Sequence, residues 1–96
     1  MWLRCELVKF GSPGDEEAFF QWIQRIRAVR QVRGEGRFIL LHVPRRRISN
    51  DHLRELIALF HRYKVSMSQL AEFRGPWNEA WFAAPGSYWH RAVFEQ

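Results

Sequence analysis

Over residues 2–10 apolar and polar side chains alternate, with Leu3, Cys5 and Leu7 on one side and Arg4, Glu6 and Val8 on the other. A period of two is the signature of a strand with one buried face, and Gly11 ends it. The period then lengthens. Phe19, Trp22, Ile23 and Ile26 recur at helical spacing, and this apolar stripe is preceded by good start signals. Ser12 serves as N-cap, Pro13 as the first helical residue, and the acids at 15, 16 and 17 face the positive end of the helix dipole. The pattern predicts a helix over 13 to about 27.

Residues 29–32 and 37–43 regain strand character on either side of Gly34-Glu35-Gly36, whose glycines permit the positive φ of a tight hairpin. The run Phe38-Ile39-Leu40-Leu41-His42-Val43 is apolar on both faces, which predicts a central strand covered on each side and stopped by Pro44. Ser49, Asn50 and Asp51 offer N-caps to a second helix, with Leu53, Leu56, Ile57, Phe60 and Tyr63 as its apolar face and an end near Lys64. Ser66-x-x-Gln69 has capping-box form and predicts a short helix through Phe73. Gly75-Pro76 precedes another over residues 77–82. Residues 88–94 combine strand-forming side chains with a capping Ser87, so a helix and a closing strand both stay open there.

The predicted order is β-α-β-β-α followed by a helical, aromatic-rich C-terminal segment, an α+β domain covering residues 1–96 as one unit. If residues 88–94 form a fourth strand, the order is that of a ferredoxin-like sandwich. Such folds host many unrelated activities, so the order alone implies no function.

Composition narrows the setting. With 96 residues, 47% hydrophobic and 26% charged, the chain has room for one core. A single cysteine, Cys5, excludes an internal disulfide framework and suits a reducing compartment. Arg4, Glu6 and Lys9 interrupt the apolar start, so no signal-peptide core forms, and no apolar run reaches transmembrane length. A cytoplasmic protein without membrane association is expected.

Charge is the strongest signal. Between residues 25 and 47 eight arginines face one acid, Glu35, so the net charge of +5 belongs to one region and creates a field that draws anionic partners. Arg25 and Arg27 close the first helix, where cations stabilise the dipole. Arg30, Arg33 and Arg37 sit on or beside the hairpin. Arg45-Arg46-Arg47 precedes a helix start, an unfavourable place for cations unless an anion joins them on the free N–H groups. Arg30, Arg33, Arg37, Arg45, Arg46, Arg47 and Ser49 are therefore the candidate anion-binding residues, expected to form one basic surface. A βαββα order invites comparison with the RNA-recognition fold, whose third strand carries K/R-G-F/Y-G/A-F-V-x-F/Y. Arg33-Gly34-Glu35-Gly36-Arg37-Phe38-Ile39-Leu40 matches in its glycines and leading arginine, but Glu35 and Arg37 stand where stacking aromatics belong, and the family is not assigned.

Seven aromatics fall in the last 24 residues. Trp77 and Trp81, one helical turn apart, are the candidate aromatic contacts. Buried, the tail's aromatics cap the core; exposed, they would form an interface or a homodimer contact. The four histidines share no metal-ligand spacing, Cys5 has no base beside it, and phosphate-loop, nucleophile-elbow and dinucleotide motifs are missing. The expectation is thus a small non-enzymatic binding or regulatory module without cofactor or metal. Its partner would be nucleic acid, with an acidic protein surface docked through arginines and an aromatic anchor as the alternative.

Overall fold

The computed structural model describes residues 1–44 and 48–95; Arg45, Arg46 and Arg47 lie outside the described residues. In chain order the elements are β1 (Trp2–Glu6), α1 (Pro13–Arg25), β2 (Gln31–Glu35), β3 (Phe38–His42), α2 (Asn50–Arg62), a 3₁₀ helix (Met67–Phe73), α3 (Glu79–Phe82) and α4 (His90–Phe94). Together they make an α+β domain with a three-stranded antiparallel sheet in the order β1-β3-β2. The hairpin joins β2 to β3 through Gly36, whose φ of +62° is one that only glycine adopts without strain. Gly34 lies within β2, so the turn is Gly36-Arg37 and not Gly34-Glu35-Gly36.

Register decides which side chains share a face. Leu3 pairs with Leu41 and Cys5 with Ile39 across β1 and β3, while Val32 and Gly34 of β2 face the same two residues of β3. Leu3, Cys5 and Leu41 are fully buried under Phe19 and Ile23 of α1 and Leu53, Leu56, Ile57 and Phe60 of α2. Each such side chain contributes about 1.5–3 kcal/mol by leaving water. Both long helices begin as expected: Ser12 accepts from the Asp15 N–H at 3.2 Å and Ser49 from the His52 N–H at 3.1 Å. Trp22 Nε1 donates to Glu55 at 2.8 Å and ties the two helices together.

Two expectations change and one open alternative closes. The first strand stops at Glu6, and Leu7 turns outward with φ +50° and 59% exposure instead of joining Leu3 and Cys5. β3 is central but, among the described residues, covered on one face only, because α1 and α2 both pack on the Leu41 side. Residues 88–94 give no fourth strand: His90–Phe94 is helical, since Trp89 sinks into the tail and donates its indole N–H to the Phe82 carbonyl at 2.7 Å.

The edge of β1 is therefore left without a neighbouring strand, and a side chain takes that place. Gln69, on the 3₁₀ helix, accepts from the Arg4 N–H at 2.6 Å and donates to the Arg4 carbonyl at 2.9 Å. Its amide also donates to the Ser66 carbonyl at 2.9 Å. The expected capping box is not made, because Gln69 is spent on the strand and the Ser66 hydroxyl caps nothing.

Candidate functional site

Strand alternation sends every second residue to the side of the sheet that carries no helix. On β1 these are Trp2, Arg4 and Glu6; on β3, Phe38, Leu40 and His42; on β2, Gln31, Arg33 and Glu35. All are exposed or half-buried. Aromatic and basic side chains interleave across this face. Trp2 lies against His42 with ring centroids 4.9 Å apart, and the Arg33 guanidinium sits 5.4 Å from the Trp2 ring centre. At the other end Arg4 and Arg37 approach the Phe38 ring at 5.1 and 5.8 Å. Phe38 and His42 lie four residue steps apart along β3, so the two aromatic stations stand about 13 Å apart.

The electrostatics of the face are mixed. Arg37 approaches Glu6 at 3.6 Å and Arg33 approaches Glu35 at 4.0 Å, both exposed, and such pairs contribute little in water. A guanidinium over an exposed ring gains only about 0.5–1 kcal/mol. A base stacked on the same ring is worth about 1–3 kcal/mol. The guanidinium groups are therefore held only weakly over these rings.

Of the residues singled out in the sequence, Arg33 and Arg37 belong to this face. Arg30 does not: alternation turns it to the opposite side, where it lines a cleft of about 280 Å³ with Arg27, Val43, Pro44, Ile48, Ser49 and His52. Ser49 borders that cleft with its hydroxyl already used as the cap of α2. The single basic surface expected from the arginines is thus divided between the two faces of the sheet, and its Arg45-Arg46-Arg47 portion lies outside the described residues. Trp77 and Trp81 belong to the C-terminal helical layer. Both are half-buried; Trp81 packs against Phe82 and Trp89 and is covered by the Arg54 guanidinium at 4.2 Å. Core packing accounts for Trp81.

Sequence reasoning missed Trp2, Arg4 and Phe38 as members of one surface. The alternation in β1 already put Arg4 opposite Leu3 and Cys5. What hid the rest was the apolar run of β3, which looks the same whether its second face is covered or open. The glycines compared with the RNA-recognition pattern fall in β2 and at the hairpin turn, and the first outward aromatic of β3 is Phe38.

Cys5 offers no reactive alternative: burial pushes its thiol up to about 12, so it stays protonated and inert. Asp15 is held below its ordinary range, chiefly by the Gly11 N–H at 2.8 Å, with the Tyr63 hydroxyl at 3.0 Å and the charge of Arg62 adding to it. Comparison with known proteins found no matching family model, no matching curated protein and no matching solved structure.

Proposed function

We propose that this domain binds single-stranded nucleic acid on the open face of its sheet. The observation that carries the proposal is the helix-free face on which Trp2, Phe38 and His42 alternate with Arg4, Arg33 and Arg37. Rings on an open sheet are the device by which RNA-recognition modules stack two or three unpaired bases, and the likeness here is one of arrangement. Duplex is disfavoured by the same geometry, since paired bases do not offer their faces to a flat sheet. Arginine supplies phosphate contacts that hold register without reading sequence, while Gln31 and His42 are placed to hydrogen-bond base edges.

The test is fluorescence anisotropy of labelled single-stranded and duplex oligonucleotides, in both RNA and DNA, over a range of salt. Single strands should bind more tightly than duplex. Trp2→Ala and Phe38→Ala should each weaken binding by about 1–3 kcal/mol, with far-UV circular dichroism confirming the fold. Absence of binding at low salt would refute the proposal and leave an acidic protein surface as the partner to pursue. Binding that both variants leave unchanged would remove the sheet face from the site.

A further inference from the structure

The open face has a shortage that the rest of the molecule makes good. Arg4, Arg33 and Arg37 are offset there by Glu6 and Glu35, so little net charge is left to attract a polyanion. Beyond the β1 edge the surface falls into two adjoining hollows of about 610 and 370 Å³ that share Leu7 and Lys64. The larger is lined by Arg4, Glu6, Ser66 and Gln69, and the smaller by Lys9, Arg62 and Tyr63. Together they make one groove. Lys9 and Lys64 are in no ion pair among the described residues, and Arg62 faces Asp15, whose carboxylate it helps to keep charged. Arg4 belongs to both surfaces, reaching over the Phe38 ring on the sheet and lining the groove at its edge.

The rim of this groove is also where the backbone is least relaxed. Among the described residues other than glycine, positive φ occurs at Leu7 (+50°) and Lys64 (+56°). Lys64 occupies the position after the helix cap of α2. The Val65 N–H bonds to the Phe60 carbonyl at 2.9 Å and the Lys64 N–H to the His61 carbonyl at 3.4 Å, the hydrogen-bond pair that normally selects glycine there. A left-handed conformation is unfavourable for a residue with a side chain. Strain kept at two positions that line one basic groove is a pointer to function, because folding alone would be better served by glycine.

We infer that this groove carries the phosphates of the nucleic-acid strand after it leaves the sheet, with Lys9, Arg62 and Lys64 as its phosphate contacts and Arg4 as the hand-over point. The inference rests on the sheet-face reading above and deepens it: the ligand is a strand longer than the sheet is wide. Three strands about 4.8 Å apart make a face roughly 10 Å across, enough for the stacked bases and too narrow for their flanking backbone.

Two titrations test it. The first compares labelled oligothymidylates of about 3 and about 10 nucleotides, a range set by the site sizes of single-strand binders, on the wild type and on Arg62→Ala/Lys64→Ala. The longer strand should bind the wild type more tightly, and the double variant should lose that advantage. Its salt slope should fall by about 0.7 for each phosphate contact removed, while binding of the short strand stays unchanged. Equal losses for both lengths, or no loss for either, would overturn the inference while leaving the sheet face in place. The second follows backbone amide shifts with tripolyphosphate, which has no base to stack. Shifts centred on Leu7, Lys9 and Lys64 are expected, and shifts elsewhere or none count against the groove. Tripolyphosphate bound there with no oligonucleotide binding would keep the groove as an anion site and remove the nucleic-acid reading.

Discussion

Lys64→Gly should leave this protein more stable than Lys64→Ala, the reverse of the order found at ordinary helical positions. Lys64 has φ +56°, and the Val65 and Lys64 N–H groups close the helix end on the Phe60 and His61 carbonyls. Val65 and Phe60 are both buried, which holds the chain in that turn. Alanine keeps the Cβ that makes the left-handed region unfavourable by about 1–2 kcal/mol. Glycine removes it but loses about 0.4–1 kcal/mol through the greater freedom of the unfolded chain. The balance favours glycine by about 1 kcal/mol, roughly 4–8 °C in Tm for a domain of this size. Both variants lose the same ammonium, worth about 0.3–1 kcal/mol near a helix C-terminus, so the charge cancels from the comparison. Urea unfolding followed by tryptophan fluorescence measures the difference, provided that m is the same for both. Alanine equal to or above glycine would mean that Lys64 is not held in the left-handed region, and the strained lysine of the groove would go with it. A more stable glycine variant that binds the longer oligonucleotide less well would separate folding from function at a single residue.

Three further perturbations probe the scaffold. A Cβ added at Gly75 meets the Trp77 ring below any tolerable contact distance, so Gly75→Ala should destabilise by about 1–3 kcal/mol and alter the near-UV dichroism; an unchanged melting curve would show that the indole is not seated there. The lowered pKa of Asp15 gives a stabilisation that is complete above the ordinary carboxylate value of 3.8 and is lost as pH falls through the folded-state value. Asp15→Asn should therefore flatten the acid limb of the stability profile, and superimposable acid limbs would refute this. For Cys5 the sign is opposite, because the folded-state value is raised. Stability should be untouched below 9.0 and fall as pH rises from there towards about 12, a decline that Cys5→Val should lack.

The elements were legible wherever one local rule decided them. Ser12 and Ser49 both cap as their positions suggest, and the stripe from Leu53 to Phe60 is buried along its length. The tail was harder, because Tyr88, Trp89 and Phe94 suit a strand by propensity and only tertiary contacts commit them to a helical layer. Trp89 settles there by meeting Trp81 edge to face at 6.0 Å and bonding the Phe82 carbonyl. Lys64 gave no sign of its conformation, since nothing local distinguishes a lysine in a left-handed cap from a lysine in a last helical turn. The candidate site was least legible of all. Its members come from β1, β2 and β3, and Trp2 meets His42 in register across 39 intervening residues. The arginines that dominate the charge count drew attention to the hairpin, whereas the ring-bearing positions that organise the face are spread over two strands with no acid or base excess of their own.

The open face follows from how the chain spends its apolar elements. α1 and α2 both cover the Leu3, Cys5 and Leu41 side, and the 3₁₀ helix, α3 and α4 build a separate layer joined through α2. No described element returns to the other side. A fourth strand would have closed the β1 edge with a ladder of backbone bonds and extended the face by one more row. Gln69 instead closes it at the single residue Arg4, leaving the surface free to drop from the sheet into the groove at that point. Trp2 and Phe38 are therefore not core residues left partly exposed by a small domain. They sit on a sheet face that no described helix covers, among arginines and the two acids Glu6 and Glu35, and Arg4 is pinned there by its backbone bonds to Gln69.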